Sequence, residues 1–200
     1  TKLNIAIEPD DLNLELFLDD DSERFADKFF EVNKLNDKTV IALNPGASHK
    51  VNRWPAKYFS ELAQMIENQL KARCIIIGGR EDTYLAEEIN KNTSSSLINL
   101  AGKINLLQLG AILKRCKVLI TGDTGPMHIA TAVGTKVIAL FGAADPKRTG
   151  PVGKSHIVLQ AKDVKCLPCR KRVCNNSHYL ECMEKITPND VFEKILEVIR

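Results

Sequence analysis

Short apolar segments alternate with amphipathic segments along most of the chain. From Thr39 onward, five runs of aliphatic and β-branched residues each end in glycine or a polar residue, and segments with apolar residues at helical spacing separate them. Strands that are apolar throughout are typical of a parallel sheet covered by helices on both faces. With right-handed crossovers, this pattern predicts an α/β, Rossmann-like, doubly wound parallel sheet. The predicted strands lie in segments 39–46, 73–79, 96–102, 117–123 and 135–142.

The first part of the chain, residues 1–38, differs from this pattern. It is rich in acidic residues and contains one amphipathic helical segment near 21–33. The apolar side of this segment consists of Phe25, Phe29, Phe30 and Val32. We therefore expect residues 1–38 to be a connecting segment that packs on another part of the protein. Residues 39–200 are expected to form one domain, closed by a helix that begins near Pro188.

The overall composition argues against several classes of protein. The 200 residues are 44% hydrophobic and carry a net charge of +3, which suits one globular domain with an extra segment. Lys and Arg are scattered among acidic residues, so no nucleic-acid partner is expected. No apolar run is long enough to cross a bilayer and no export signal is recognisable, so the expected compartment is the reducing cytoplasm.

Polar, glycine-rich loops follow the predicted strands. Ligands of doubly wound sheets bind beyond the carboxyl ends of the strands, where these loops meet. Five such loops at one edge, rich in glycine, small hydroxyl side chains and charge, indicate a ligand with phosphates and a sugar. They comprise residues 44–55, 78–84, 101–105, 121–128 and 141–153. Neither the dinucleotide fingerprint G-x-G-x-x-G nor a P-loop is present.

The loop after the fourth predicted strand places Asp123, Thr124 and Gly125 at the start of a helix. The first N–H groups of a helix are unpaired and its dipole favours an anion, while a glycine lets a phosphate approach the backbone. We favour phosphate binding here, and a helix N-cap is the alternative. His128 lies one helical turn beyond Thr124, and it either faces the same ligand or packs within the helix.

Two further loops carry candidate ligand contacts. Ser48, Lys50 and Arg53 follow the first predicted strand, where they either hold a diphosphate by charge or form a solvated basic loop. Glu81 or Asp82 follows the second predicted strand. An acid at that position either accepts hydrogen bonds from ribose hydroxyls or only adds negative charge to the start of a helix.

Four of the six cysteines crowd into the polar segment 166–182, with the spacing C-x2-C-x4-C-x7-C. Four thiolates can bind Zn²⁺ as a closed structural site, and the neighbouring Lys and Arg side chains favour thiolates. The spacing of the second pair is unusual for zinc, and the alternatives are disulfides or free thiols that pack a loop. The four residues are Cys166, Cys169, Cys174 and Cys182.

Several of these motifs together resemble a known family. They are NPGAS and RWP within 44–55, GGREDTYLAEEI at 78–89, GDTGPMH at 122–128, FGAADPKRTGPVG at 141–153 and the cysteine-rich tail. From about Val40, the chain resembles the ADP-heptose:lipopolysaccharide heptosyltransferases, family 9 of the glycosyltransferases. The resemblance implies the GT-B architecture, in which two Rossmann-like domains face a cleft. This chain resembles the C-terminal, donor-binding domain, and residues 1–38 the connector from a missing N-terminal domain.

The resemblance also implies roles for residues. In the family, the D-T-G motif binds the donor diphosphate, the loop after the first strand contacts phosphate, and an acid after the second strand holds the ribose. The implied donor site consists of Ser48, Lys50, Arg53, Glu81, Asp123, Thr124, Gly125 and His128. Asn52 stands where the family usually has lysine, and Lys50 is the expected substitute. The family's catalytic base lies in the missing domain, so no residue here is assigned to it.

The implied reaction is an inverting transfer of heptose from ADP-heptose, or a similar nucleotide sugar, to the lipopolysaccharide inner core. Helix N-termini and basic side chains stabilise the leaving diphosphate, so no metal is needed for catalysis. The acceptor is expected to bind through the missing domain, with the enzyme peripheral to the inner face of the inner membrane. Two alternatives are a non-catalytic nucleotide-sugar-binding or interaction module and a GT-B sugar-nucleotide epimerase.

Overall fold

Six parallel strands form the centre of the protein. The computed structural model describes residues 14–94 and 97–199, so the first 13 residues of the expected connector lie outside the described part. The strands are β1 Val40–Asn44, β2 Arg73–Ile76, β3 Ile98–Asn99, β4 Val118–Thr121, β5 Lys136–Phe141 and β6 Ile157–Gln160. They are hydrogen-bonded in the order β3-β2-β1-β4-β5-β6, so the chain reverses its direction of progress across the sheet between β3 and β4. This order confirms the predicted doubly wound fold.

One strand, β6, is not among the predicted strands. Among the strands of the described residues, it pairs with β5 alone, through a register that places Ile157 beside Ile138. Its residues are at most half-buried, and Val158 is 40% exposed. An edge strand of this kind does not need the continuous apolar run that indicates a central parallel strand.

Helices and short turns connect the strands. The α-helices are α1 Asp20–Val32, α2 Ala56–Met65, α3 Thr83–Lys91, α4 Leu106–Lys114, α5 Gly125–Ala132, α6 Pro146–Thr149, α7 Glu181–Glu184 and α8 Pro188–Ile199. α6 and α7 have four residues each, too few to show a helical period, and were not expected from the sequence. Within the described residues, no helix is both long and apolar enough to cross a membrane.

The residues of β1 alternate between two hydrophobic cores. Ile41 and Leu43 pack with residues of α2 and α8 on one face of the sheet. Val40 and Ala42 pack with residues of α1, α4 and α5 on the other face. Full burial of one large aliphatic side chain contributes roughly 1.5–3 kcal/mol, so both faces of this strand must be apolar. The carboxyl end of β1 is therefore held in place by packing on both faces of the sheet.

The helix of the expected connector is part of this packing. α1 lies against α4 and buries Ala26 and Phe30. Lys114 Nζ lies 2.7 Å from a carboxylate oxygen of Glu23, which adds an ion pair at the same contact. Val32 is 68% exposed, so its assignment to the apolar side was wrong, because the buried side of α1 runs through Ser22, Ala26 and Phe30 and Val32 lies on a different side of the helix.

Candidate functional site

A first cavity, of about 280 Å³, opens at the carboxyl edge of the sheet. The loops after β1, β2, β3 and β4 all contribute to its lining, as the topology of a doubly wound sheet requires. Four residues of the predicted donor site lie here, namely Ser48, Glu81, Thr124 and Gly125. The structure therefore gathers residues that are separated by up to 77 positions in the sequence into one cavity.

A buried hydrogen-bond network joins the ends of β1 and β4. The Asn44 Nδ2 group donates to the Thr121 hydroxyl at 2.9 Å and to the Thr124 hydroxyl at 3.0 Å. The two hydroxyl oxygens lie 2.9 Å apart, and the Thr121 hydroxyl can also donate to the Gly122 carbonyl at 3.2 Å. If Thr121 donates to Thr124, the Thr124 proton is free to point at a ligand; if Thr121 donates to the Gly122 carbonyl instead, Thr124 donates to Thr121. Sequence reasoning missed Asn44, although a polar residue ending an apolar strand was a signal for it.

The start of α5 borders the same cavity. Thr124 is the N-cap residue, yet its side chain makes no capping hydrogen bond, and Pro126 removes one N–H group from the first turn. Thr124, Gly125 and Pro126 all line the cavity. The alternative that Thr124 serves only as a helix cap therefore has no support in the hydrogen bonds of this turn.

Four predicted donor-site residues do not line this cavity: Asp123, which lines a second cavity described below, and Lys50, Arg53 and His128. Arg53 is engaged elsewhere, because its Nε donates to the Ala47 carbonyl at 3.0 Å and its guanidinium also contacts the Tyr84 hydroxyl. Lys50 is exposed in a short 3₁₀ turn. His128 is half-buried one turn along α5. Arg53 thus braces the loop after β1. Lys50 does not line the first cavity, so the structure does not support the expectation that it replaces the lysine usually found at position 52.

Asp82 is a better-placed acid than the sequence indicated. Its residue surface is 7% exposed, its Oδ2 accepts a hydrogen bond from the Gly79 N–H at 3.1 Å, and its carboxylate lines the cavity. Within the described residues, its Oδ1 has no hydrogen-bond partner and forms an ion pair with Arg53 Nη2 at 3.8 Å. A Cβ added to Gly46 would lie 2.2 Å from Oδ2, so that glycine makes room for the carboxylate. Buried acceptors normally have partners, and a ligand hydroxyl would supply one.

A second cavity, of about 270 Å³, adjoins the first. Ser48 and Thr124 line the first cavity, and the residues next to them in sequence, His49 and Asp123, line the second. Asp123 was expected beside the diphosphate, but the structure places it on this further side. No hydrogen bond to its carboxylate is found within the described residues, and the remaining lining is strongly basic.

The cysteine-rich segment lines a further cavity, which shares Lys171 with the second cavity. All six cysteines are free thiols, and Cys166, Cys169 and Cys174 line one cavity of about 270 Å³. Burial, together with the three neighbouring thiols, raises the pKa of Cys182 to about 11. The Leu180 N–H donates to Cys174 Sγ at 3.4 Å. Among the described side chains, no group of three or more metal ligands is arranged to hold an ion.

Comparison with known proteins places this geometry in a family. The sequence profile of glycosyltransferase family 9 (heptosyltransferase) matches residues 4–180. Lipooligosaccharide heptosyltransferase 2 of Campylobacter jejuni serotype O:6 is 33% identical over 164 residues, which cover 80% of this chain and 51% of that protein. The chain spans about half the length of the curated relatives it matches.

Solved structures agree with this assignment. The family 9 glycosyltransferase of Veillonella parvula superposes with a TM-score of 0.84 at 26% identity, covering 93% of this chain and 53% of that one. The E. coli ADP-heptose lps heptosyltransferase II, at 24% identity, has the same fold, with a TM-score of 0.74 over 92% of this chain and 53% of its own. By its sequence and by its half of the GT-B fold, the chain belongs to glycosyltransferase family 9, the heptosyltransferases.

Proposed function

We propose that this chain is the donor-binding half of an inverting glycosyltransferase that transfers heptose from ADP-heptose to the lipopolysaccharide inner core. The observation that carries the proposal is the first cavity, where a hydroxyl network, a helix start and a buried acid converge. The E. coli relative of the same fold is named for ADP-heptose and lipopolysaccharide. Because the acceptor is a lipid-linked glycan, the enzyme would work at the inner face of the inner membrane.

The lining of the first cavity supports an order for the parts of ADP. Ile104, Leu106 and Leu109 form an apolar side, and Leu106 is exposed at the mouth, where it can cover one face of a base. We place the ribose beside Asp82, which lines the cavity and whose Oδ1 lies 3.8 Å from Arg53 Nη2 but accepts no hydrogen bond from the described residues. The diphosphate then reaches the start of α5 at Thr124, where N–H groups and a hydroxyl can donate to it.

This arrangement would stabilise ADP as the leaving group of the transfer. In an inverting transfer, a base removes the proton of an acceptor hydroxyl, which attacks the anomeric carbon while the bond to the diphosphate breaks. Negative charge grows on the leaving diphosphate, and donors fixed before the reaction stabilise it most effectively. The rigid network of Asn44, Thr121 and Thr124 fixes such a donor. We assign no base within this chain and expect it in the acceptor half of the whole protein.

Calorimetry with ADP, UDP and ADP-heptose tests the proposal. We expect the chain to bind ADP and ADP-heptose and to bind UDP at least about tenfold more weakly, because the first cavity has an apolar side suited to a purine. We also expect no release of ADP from ADP-heptose without the acceptor half. Binding of none of the nucleotides would favour an interaction module, whereas a preference for UDP would favour the epimerase alternative.

We also propose that the cysteine-rich segment holds one structural zinc ion. The donor set is suitable, because three thiols line one small cavity, the fourth, Cys182, lies close enough for them to raise its pKa, and thiolates bind Zn²⁺ in closed tetrahedral sites. The proposal is supported by the presence of four thiols in one segment and not by their arrangement, because no three ligands among the described side chains are placed to hold one ion. Such an ion would order the loop and has no part in the transfer itself.

Protein purified without chelators should contain about one zinc per chain by elemental analysis. Cys169→Ser should lose most of this metal, and chelation should increase hydrogen exchange only near 166–182. The control is Cys116→Ser, because the buried Cys116 Sγ donates to the Ile112 carbonyl at 3.3 Å, a bond that serine can reproduce. A metal-free preparation with all four thiols titratable would contradict this prediction.

A further inference from the structure

The first cavity holds little positive charge for the proposed ligand. Its lining, as far as the structure describes it, contains no lysine or arginine but two acids, Glu81 and Asp82. Arg53 offsets one of these acids through its ion pair with Asp82 at 3.8 Å. The charge of ADP is concentrated on its two phosphates, and the N–H groups at the start of α5 oppose it with partial charges alone. We therefore looked for cations where the diphosphate would leave the first cavity.

The second cavity supplies such cations. Arg148 reaches it from the segment after β5, and Lys171 and Arg172 reach it from the cysteine-rich segment. In the part of the chain that the structure describes, none of these three side chains has an ion-pair partner. The one acid of the described lining that stands outside an ion pair is Asp123, so cations are in excess here.

Two of the cations stand on an anchored part of the chain. The Arg170 N–H donates to the carbonyl of buried Ala143 at 2.8 Å, and the Arg170 guanidinium binds the Asp145 carboxylate. That hydrogen bond lowers the pKa of Asp145 from its ordinary value, so the pair stays charged near neutral pH. Lys171 and Arg172 follow directly in the sequence, so the contacts of Arg170 with the loop after β5 hold them beside the cavity.

The two cavities meet at the proposed diphosphate site. His49 and Asp123 line the second cavity, and their sequence neighbours Ser48 and Thr124 line the first. A diphosphate that begins at Thr124 therefore ends at the entrance of the second cavity, and the transferred sugar continues into it. With a volume of about 270 Å³, the second cavity admits about one sugar ring. Its cations thus lie within about the width of one ring from the entrance.

We propose that Arg148, Lys171 and Arg172 bind the phosphate that carries the transferred sugar, and so complete the diphosphate site. This inference rests on the proposed function, which places the sugar itself in the rest of the second cavity. Guanidinium and ammonium groups form strong hydrogen bonds to phosphate oxygens. Cations that are already in place also stabilise the negative charge that grows on this phosphate as ADP leaves. The cysteine-rich segment thus contributes directly to donor binding.

The test is calorimetry of the 200-residue chain with ADP, AMP and inorganic pyrophosphate. AMP lacks the second phosphate, so the ratio of the ADP and AMP affinities measures what that phosphate contributes. We expect the parent to bind ADP at least about tenfold more tightly than AMP. Lys171→Gln/Arg172→Gln should remove most of this difference and weaken pyrophosphate binding about tenfold or more. Its charge-matched control, Lys91→Gln/Lys117→Gln, changes exposed lysines that line neither cavity and should bind like the parent.

Asn52→Lys provides a rescue experiment. Asn52 lines the second cavity as a neutral residue, so a lysine there brings a cation to the same space from a different loop. In the Lys171→Gln/Arg172→Gln background it should raise the affinity for ADP about tenfold and leave that for AMP nearly unchanged. A purely structural role of Lys171 and Arg172 would not be restored in this way. Melting temperatures show which variants are folded. The salt dependence of ADP binding, which should be weaker without the two cations, measures the same charge independently.

Three results would overturn the inference. They are an unchanged ratio of ADP to AMP affinity in Lys171→Gln/Arg172→Gln, an equal effect in its control, and no rescue by a folded Asn52→Lys variant. Pyrophosphate separates this inference from the proposed function, because it has two phosphates and no nucleoside. If the parent binds pyrophosphate through Lys171 and Arg172 but does not bind ADP, the nucleotide site is rejected and the cation site is retained. Binding of none of the three probes would reject both.

Discussion

Gly125→Val is expected to weaken ADP binding by about hundredfold while the protein stays folded. Gly125 is the first residue of α5 and lines the first cavity. A Cβ built on it would meet no heavy atom within 4 Å, so the new side chain extends into the cavity rather than into protein. There it would keep a phosphate from the N–H groups of the helix start. Calorimetry gives the affinity, and thermal melting reports the fold.

Gly125→Ala provides a graded control. Its single methyl group should cause a smaller loss of affinity than valine. Alanine also restricts the unfolded chain, so the free energy of unfolding should stay equal or rise by up to about 1 kcal/mol. Opposite changes in binding and stability would be difficult to explain by damage to the fold. If both variants bind ADP like the parent, the start of α5 does not contact the nucleotide.

The sequence predicts the centre of the sheet better than its edge. β1 and β4 are buried on both faces, so each needs a continuous apolar run that is recognisable without a structure. β6 is an edge strand with only partial burial, and its composition is compatible with a loop. One-turn helices such as α6 carry no period at all. The missed elements are those in which burial imposes the weakest pattern.

The same reasoning explains which site residues could be found. Thr124 and Gly125 follow directly from a strand end, and topology alone brings strand ends to one edge. Arg53 could not be judged in this way, because its long side chain folds back onto the Ala47 carbonyl. Glu81 and Asp82 are neighbours in one 3₁₀ turn, and only the packing against the chain decides which carboxylate is buried.

Asp82→Asn is expected to remove the preference for a complete ribose. If the free Oδ1 accepts from a ribose hydroxyl, the parent should bind ADP at least about tenfold more tightly than its 2′-deoxy or 3′-deoxy analogue. An asparagine can keep the acceptor for the Gly79 N–H, but it turns an NH₂ group toward the position of Oδ1. Affinity for ADP should then fall about tenfold or more, to the level of the sensitive analogue.

Glu81→Gln is the matched control, because it makes the same chemical change in an exposed neighbour that also lines the cavity. It should preserve the difference between ADP and the deoxy analogues. Stability gives an independent readout: the amide removes a buried charge that accepts no hydrogen bond at Oδ1 from the described residues, but it also removes the ion pair with Arg53 Nη2 at 3.8 Å, so the free energy of unfolding should change by only about 1 kcal/mol. A variant that is less stable yet still discriminates between the nucleotides would show that Asp82 only braces the turn. Loss of discrimination in Glu81→Gln, with its retention in Asp82→Asn, would assign the ribose contact to Glu81 instead.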